Sequence, residues 1–300
     1  MLLVSMPTIA LLGTGLLGEA IGCRLLERGV TLRVWNRTPE KCEPLLERGA
    51  VLIDSLNGSA KGCDAVITVL RDGPVSAEVI AELGDLDAAC CLPMGTMGIS
   101  ESRQLELQVQ GQQGVYLEAP VLGSKPEALK GKLLVMAGGD ASVYQQQLPL
   151  LRLLAEEPKW MGPTGRAAAS KLALNQLIAS LTHGYSLALR LVQASGLEVE
   201  RFMEVLRPSA LYAPTVDKKL ERMLSHDFSN PNFSTALLRK DLRLFVHEAS
   251  LAGVNAEALE GLVELLTCAE GTSLDAGDYS GLHALTAGSF NQWSQADSNR

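Results

Sequence analysis

TIALLGTGLLGEAIGCRLLERG, residues 8–29, decides the fold. An apolar, β-type run (8–13) enters three glycines spaced as Gly13, Gly15 and Gly18, and a helix-like stretch follows. Strand, tight turn and helix in that order open a βαβ unit. Outward from it the same rhythm repeats, in TLRVWN (31–36), AVLID (50–54), AVITVL (65–70), AACCLPM (88–94), VYLEAPV (115–121) and LLVMAG (133–138). Segments of about 7 to 16 residues that suit helices separate most of these runs. The alternation predicts an α/β body, a Rossmann-type doubly wound and mostly parallel sheet covered by helices on both faces.

The rhythm stops near residue 163. From Gly165 to Ser195 the chain is free of proline and rich in Ala and Leu, with Pro163 and Thr164 as start signals and Gly196 as a stop. About 31 helical residues span roughly 45 Å. A helix so long, apolar on more than one face, reads as shared between two bodies. Beyond it, the stretches 197–206, 214–224, 234–253 and 256–271 are amphipathic, broken at Pro208, at 229–232 and at Gly253. The expected organisation is therefore a sheet domain over 1–163, an interdomain helix over 164–195, an all-α C-terminal domain over 196–290 and a polar tail over 291–300.

Composition narrows the function. Lys and Arg number 26 against 34 Asp and Glu, a net charge of −8, which argues against nucleic-acid binding through phosphates and against a polybasic membrane binder. The apolar start of the chain carries no basic residue before Arg24 and runs into the glycine turn, unlike a signal peptide. No uncharged apolar run reaches the roughly 18 residues a membrane helix needs. Cys23, Cys42, Cys63, Cys90, Cys91 and Cys268 form no CxxC pair, and the four histidines have no ligand-like spacing, so the reading is a cytoplasmic chain with reduced thiols and no metal. Cys90 and Cys91, adjacent in a strand, point to opposite faces and make a poor redox pair. A small molecule is the expected partner.

Each glycine of GTGLLG has a task in binding a dinucleotide: the tight turn, close approach of the backbone to a pyrophosphate, and close packing of helix on strand, with the diphosphate at the helix N-terminus. The end of the second strand selects the cofactor. An Asp or Glu there suits the ribose 2′-hydroxyl of NAD, whereas this chain has Asn36, Arg37 and Thr38, with Lys41 one turn on. A guanidinium and short polar groups hold a 2′-phosphate, so NADPH is expected over NADH. The plain alternative is a solvated helix start capped by Thr38.

Gly162, Gly165, Lys171 and Asn175 form a GxxGxxxxxKxxxN string at the start of the long helix. Lys171 and Asn175, four apart, share one face. An ammonium among Ala and Leu is partly desolvated and gives up a proton more readily. A snorkelling lysine beside a polar neighbour is the competing reading.

Together with GTGLLG (13–18), the string resembles the β-hydroxyacid dehydrogenase family, which includes 3-hydroxyisobutyrate dehydrogenases and glyoxylate/succinic semialdehyde reductases. EAPVLGSKPEA (118–128) and FSTALLRKDL (233–242) also match, and LPMGTMG (92–98) matches loosely. NRT (36–38) and GSK after PVL look most like the NADPH-using glyoxylate/succinic semialdehyde reductase branch. The resemblance implies a reductase that passes hydride to a carbonyl, with Lys171 as proton donor and Asn175 orienting substrate and lysine. It implies dinucleotide contacts from Leu16, Leu17, Leu70, Thr96 and Lys240, besides the glycines and residues 36–41. Substrate would meet Thr96, Leu122, Gly123, Ser124, Phe233 and Asp241. Three positions depart from the family pattern: Leu122 and Gly95 replace serines, and Ala236 replaces a lysine. A lost side-chain hydrogen bond to a charged group costs about 1.5 to 3 kcal/mol, so the carboxylate-binding end is altered, unless Leu122 merely packs. A homodimer or homotetramer is expected from the apolar long helix. Two alternatives stay open: an imine reductase, against which Lys171 argues, and a non-catalytic NADP-binding interaction protein, against which the retention of Lys171, Asn175, Lys240 and Asp241 together argues.

Overall fold

The structure, a computed structural model, describes residues 7–287. The expected polar tail and the last residues of the C-terminal domain lie outside the described residues. The chain divides into two compact units, one up to Leu172 and one from Ala173 onward. The division falls inside the long helix, whereas the sequence reading placed the end of the sheet domain at 163.

In the first unit, β1 (Thr8–Leu12), β2 (Thr31–Trp35), β3 (Val51–Leu52), β4 (Ala65–Thr68), β5 (Cys90–Pro93), β6 (Val115–Glu118), β7 (Val121–Leu122), β8 (Leu134–Gly139) and β9 (Lys159–Gly162) form one sheet in the order β3-β2-β1-β4-β5-β6-β8-β7, with β9 pairing β8. Strands β1 to β6 are parallel where they pair. Strand β8 runs antiparallel to β6 and β7, and β9 runs parallel to β8. The strand order reverses at β1, which lies between β2 and β4, so the crevice where doubly wound sheets take ligands opens at the carboxyl end of β1. Helices α1 (Leu16–Glu27), α2 (Glu43–Leu46), α3 (Gly73–Glu82), α4 (Ile99–Gly111), α5 (Lys125–Lys130) and α6 (Ala141–Leu151) connect the strands. Alternate residues of β1 feed opposite cores: Ile9 and Leu11 pack with Val34, Ile67 and Leu92, while Ala10 and Leu12 pack with Val66 and Leu105.

Two departures from the sequence reading have simple causes. The run 115–121 breaks into β6 and β7 around Ala119 and Pro120, the latter having no N–H to give a ladder. Strand β9 is an exposed edge from Lys159 to Met161, so it carries no apolar alternation to find.

The long helix α7 (Arg166–Ala194) carries the chain into the second unit. Then follow α8 (Val199–Leu206), α9 (Pro214–Ser225), α10 (Thr235–Leu251), α11 (Glu257–Thr267), α12 (Ser273–Ala276) and α13 (Leu282–Leu285). Ala179 of α7 packs with Leu238, Leu242, Leu262, Leu266 and Leu282, and a smaller cluster joins Tyr185 to Met203, Leu206 and Val216.

Candidate active site

The glycine turn at the end of β1 shows three different constraints. Gly13 has φ +98°, and a Cβ there would lie 2.4 Å from the Val69 carbonyl oxygen. A Cβ on Gly18 would lie 1.9 Å from the Gly13 oxygen, so helix α1 presses against the turn and only glycine fits. Around Gly15 a Cβ would meet nothing within 4 Å, which leaves open space in front of the turn. Gly15 is also the N-cap of α1, and no side chain caps it. The start of the helix thus has open space beside it and no side-chain cap on its first N–H groups, an arrangement suited to a diphosphate. Leu16 is exposed and Leu17 half-buried beside it.

Asn36, at the end of β2, braces the turn. Its Oδ1 accepts from the Thr14 N–H at 3.2 Å, and its Nδ2 donates to the Thr38 carbonyl at 3.0 Å. Thr38 precedes a single 3-10 turn without capping it through its hydroxyl. Arg37, Thr38 and Lys41 are exposed, and neither cation makes an ion pair among the described residues.

Leu70 and Thr96, both half-buried, follow β4 and β5. Gly95 is sterically required, because a Cβ there would lie 2.4 Å from the Leu70 carbonyl oxygen. Half-buried Leu122 ends β7, and Gly123 has φ +130°. Ser124 begins α5, and both its N–H and its hydroxyl donate to the Glu127 carboxylate, at 2.8 and 2.7 Å. This S-x-x-E bracing of a helix start was readable in the sequence. It directs the Ser124 hydroxyl to Glu127.

The start of α7 is held by a residue that the sequence reading did not single out as functional. Glu118, 1% exposed at the end of β6, accepts at Oε1 from the N–H groups of Gly165 (2.9 Å), Ala167 (2.8 Å) and Ala168 (3.4 Å). Ser102 Oγ donates to Oε2 and lies 2.8 Å from the Tyr116 hydroxyl. Burial raises the Glu118 pKa above the usual carboxylate value, and the four hydrogen bonds pull against that rise. Lys171 lies half-buried on the next turn of the helix.

In the second unit, Asn175 and Asp241 are buried together. Asn175 Nδ2 donates to Asp241 Oδ2 at 2.6 Å, and Lys240 Nζ lies 2.5 Å from Asp241 Oδ1. The Asn175 Oδ1 is buried without a hydrogen-bond partner among the described residues. Phe233 packs at the edge of the same unit's core, its ring 5.9 Å from that of Tyr279. Lys171 and Asn175 themselves are one helical turn apart on α7.

The described residues hold no group of three or more His, Cys, Asp or Glu able to bind a metal, and no helix long and apolar enough to cross a membrane. Cys90 and Cys91 face opposite cores of the sheet, and burial pushes the Cys90 thiol up to about 12 and Cys91 higher, so neither is a ready thiolate.

Residues 8–162 match the family described as the NAD binding domain of 6-phosphogluconate dehydrogenase. Residues 165–285 match the NAD-binding domain of NADP-dependent 3-hydroxyisobutyrate dehydrogenase. A protein of Arabidopsis thaliana named glyoxylate/succinic semialdehyde reductase 1 is 30% identical over 79% of this chain and 83% of its own. The chain belongs to the β-hydroxyacid dehydrogenase family. As a member of that family it is an NAD(P)-dependent oxidoreductase acting on a small molecule. The human cytokine-like nuclear factor N-PAC is 28% identical over 79% of this chain and 44% of its own length. The fold is also that of a 3-hydroxyisobutyrate dehydrogenase from Mycobacterium tuberculosis, with a TM-score of 0.85 and 24% identity over 94% of this chain and 100% of that one. An imine reductase from Pseudomonas sp. shares it at a TM-score of 0.62 and 19% identity over 94% and 100% of the two chains. A nicotinamide dinucleotide fits the residues present, for the open space at Gly15 and the uncapped start of α1 leave the turn ready for a diphosphate.

Proposed function

We propose that the protein is an NADPH-dependent reductase of small aldehyde and keto acids, of the glyoxylate and succinic semialdehyde type, with Lys171 as the proton donor. The observation that carries this reading is the fixed Asn175 amide. With Nδ2 committed to Asp241, its unpartnered Oδ1 remains as a buried acceptor on the helix that bears Lys171 one turn earlier. A buried acceptor of this kind suits an ammonium or a substrate hydroxyl.

Bound NADPH supplies the hydride that the carbonyl carbon receives. The oxygen then gains negative charge, and Lys171 Nζ stabilises that charge and delivers a proton to it, leaving an alcohol and a neutral amine. Arg37 and Lys41, exposed and without an ion pair among the described residues, support NADPH over NADH, because the first positions after β2 offer a 2′-phosphate a guanidinium in place of an acid. Thr96, Leu122 and Gly123 are assigned to the substrate pocket. Two plant relatives are named for glyoxylate and succinic semialdehyde, which makes these the first substrates to test.

The experiment is a panel of glyoxylate, succinic semialdehyde, longer aldehydes and cyclic imines with NADPH and NADH, run on wild type and Lys171→Ala. Carbonyl turnover with NADPH that disappears in Lys171→Ala, while NADPH still binds, is the expected result. Turnover surviving the substitution, or turnover of imines alone, overturns it; dinucleotide binding with no turnover on any compound favours an interaction protein.

We also infer a homodimer in a reducing, cytoplasmic setting. On α7, Leu177, Leu181, Leu187 and Leu191 are exposed with Gly184 among them, an apolar stripe at helical spacing that a second copy would cover. All six cysteines are free, including the exposed Cys268. Light scattering of wild type and Leu187→Glu tests the stripe. A mass of one chain for the wild type would refute it.

A further inference from the structure

We propose that Glu118 is a positioning residue for Lys171: it sets where the ammonium stands by gripping the first turn of the helix that carries it. The inference rests on the reading of Lys171 as proton donor, and deepens it.

A helix of 29 residues starts with N–H groups that have no partner within the helix. Usually a Ser, Thr, Asp or Asn immediately before the helix supplies an acceptor. Here the acceptor comes from a strand 47 residues earlier in the chain, and one carboxylate oxygen gathers the N–H groups of Gly165, Ala167 and Ala168. The grip is itself anchored, because the other oxygen takes the Ser102 hydroxyl and Ser102 meets Tyr116. Space for it is reserved by Gly138, where a Cβ would lie 2.1 Å from Glu118 Oε1. Gly165 completes the arrangement with φ +95°, a backbone conformation that turns its N–H to the carboxylate and that other residues rarely adopt.

Such a grip fixes more than stability. Three bonds to N–H groups of one turn, at positions 165, 167 and 168, define both the rotation of the helix about its axis and its displacement along it. Ala168 and Lys171 are three residues apart and so neighbours on the helix surface. A proton donor must stand within hydrogen-bond reach of the oxygen it serves, and an error of about 1 Å in such placement can cost about a hundredfold in rate. Glu118 is therefore expected to act on turnover and to leave dinucleotide binding alone, since the glycine turn and the end of β2 lie on other segments of the sheet.

The test compares Glu118→Gln, Glu118→Asp and Glu118→Ala by steady-state kinetics with NADPH and the best carbonyl substrate, alongside thermal unfolding. Gln keeps the length and an acceptor oxygen for the three N–H groups, and its amide can donate to Ser102. Asp keeps the charge and draws the oxygen back by one methylene. The expected pattern is kcat lowered about ten- to hundredfold in Asp and Ala, KM for NADPH unchanged within twofold, and most of kcat restored in Gln. A purely structural cap predicts instead a lowered unfolding temperature with kcat within twofold of wild type in the folded variants, and that result overturns the proposal. Should Ala fail to fold, the Asp and Gln pair decides: equal kcat in both, at the wild-type level, refutes positioning. Activity surviving in Lys171→Ala would refute the assignment of the proton donor and is read separately from the Glu118 series.

Discussion

Asn175 donates to Asp241 at 2.6 Å across 66 residues of sequence, and this one bond decides which end of the amide is left over. Turning the amide round would set its oxygen against the carboxylate. The acceptor that remains is thus fixed by a residue on another helix, α10.

Replacing the donor makes the point measurable. Asn175→Asp places a second carboxyl against Asp241 in a buried setting, where two negative charges are not tolerated together. Thermal unfolding of this variant relative to wild type should show a deficit of about 3 to 5 kcal/mol at neutral pH, the usual cost of upsetting a buried charged pair. An unfolding temperature equal to that of wild type would contradict it.

The glycine turn separates folding from binding. Gly18→Ala drives a methyl into the Gly13 carbonyl and should lose several kcal/mol of stability, about 3 or more. Gly15→Ala, at φ −68° with open space around the Cβ, should unfold within about 1 kcal/mol of wild type. Its affinity for NADPH should nonetheless fall more than about tenfold, because the methyl enters the space assigned to the diphosphate. Fluorescence titration with NADPH and calorimetry together check the pair.

Cofactor choice should follow the charges after β2. Arg37→Ala should raise KM for NADPH about ten- to hundredfold, the worth of a charge-assisted pair, and leave KM for NADH within about twofold. Adding Lys41→Ala should erode the preference further. Equal losses with both cofactors would place Arg37 elsewhere in the binding site.

Leu122 and Gly95 stand where serines were expected, and the structure distinguishes them. Leu122 is half-buried at the end of β7, so Leu122→Ser should fold and lower KM for glyoxylate or succinic semialdehyde about tenfold by restoring a hydroxyl near the substrate carboxylate. At Gly95 the Leu70 carbonyl occupies the place of a side chain, and Gly95→Ser should be destabilised without gain in KM. Kinetics on both variants with a neutral aldehyde as control tests the assignment.

In the second unit, His283 confers an acid sensitivity. It is 1% exposed, its Nδ1 has no partner among the described residues, and burial with the nearby Arg190 charge depresses its pKa to about 4. The folded state therefore disfavours the proton. Stability is complete above the unfolded pKa near 6.5 and is lost as pH falls from there toward 4. His283→Gln should flatten the unfolding temperature between pH 6.5 and 4, whatever it costs at neutral pH.

How much of this was legible in the sequence depended on the range of the interactions. GTGLLG carried its strand and helix beside it, and the Ala/Leu tract of α7 carried its own length, so both were readable locally. Glu118 was visible only as the polar end of an apolar run. Its meaning lies in N–H groups 47 to 50 residues away, and no periodicity encodes a partner at that distance. The two ends of the Asn36 amide are hidden in the same way, since one bond reaches back across 22 residues to Thr14. Strand β9 escaped because an exposed edge has no buried face to alternate with. The glutamate three residues after Ser124 marks a helix start in the sequence, and in the structure it accepts from the Ser124 hydroxyl.

On the NADPH reading, Asn36 ties cofactor preference to the architecture of the turn, because its amide bridges Thr14 and Thr38. Exchange of Asn36 for Asp, the simplest route toward NAD, would preserve an acceptor for Thr14 but set a carboxylate against the Thr38 carbonyl that the amide now serves. On the NADPH reading proposed above, retargeting to NADH is thus a two-locus problem. The loop from 36 to 38 must be redrawn along with the charge, and a lineage or an engineer changing either one alone passes through a weakened intermediate.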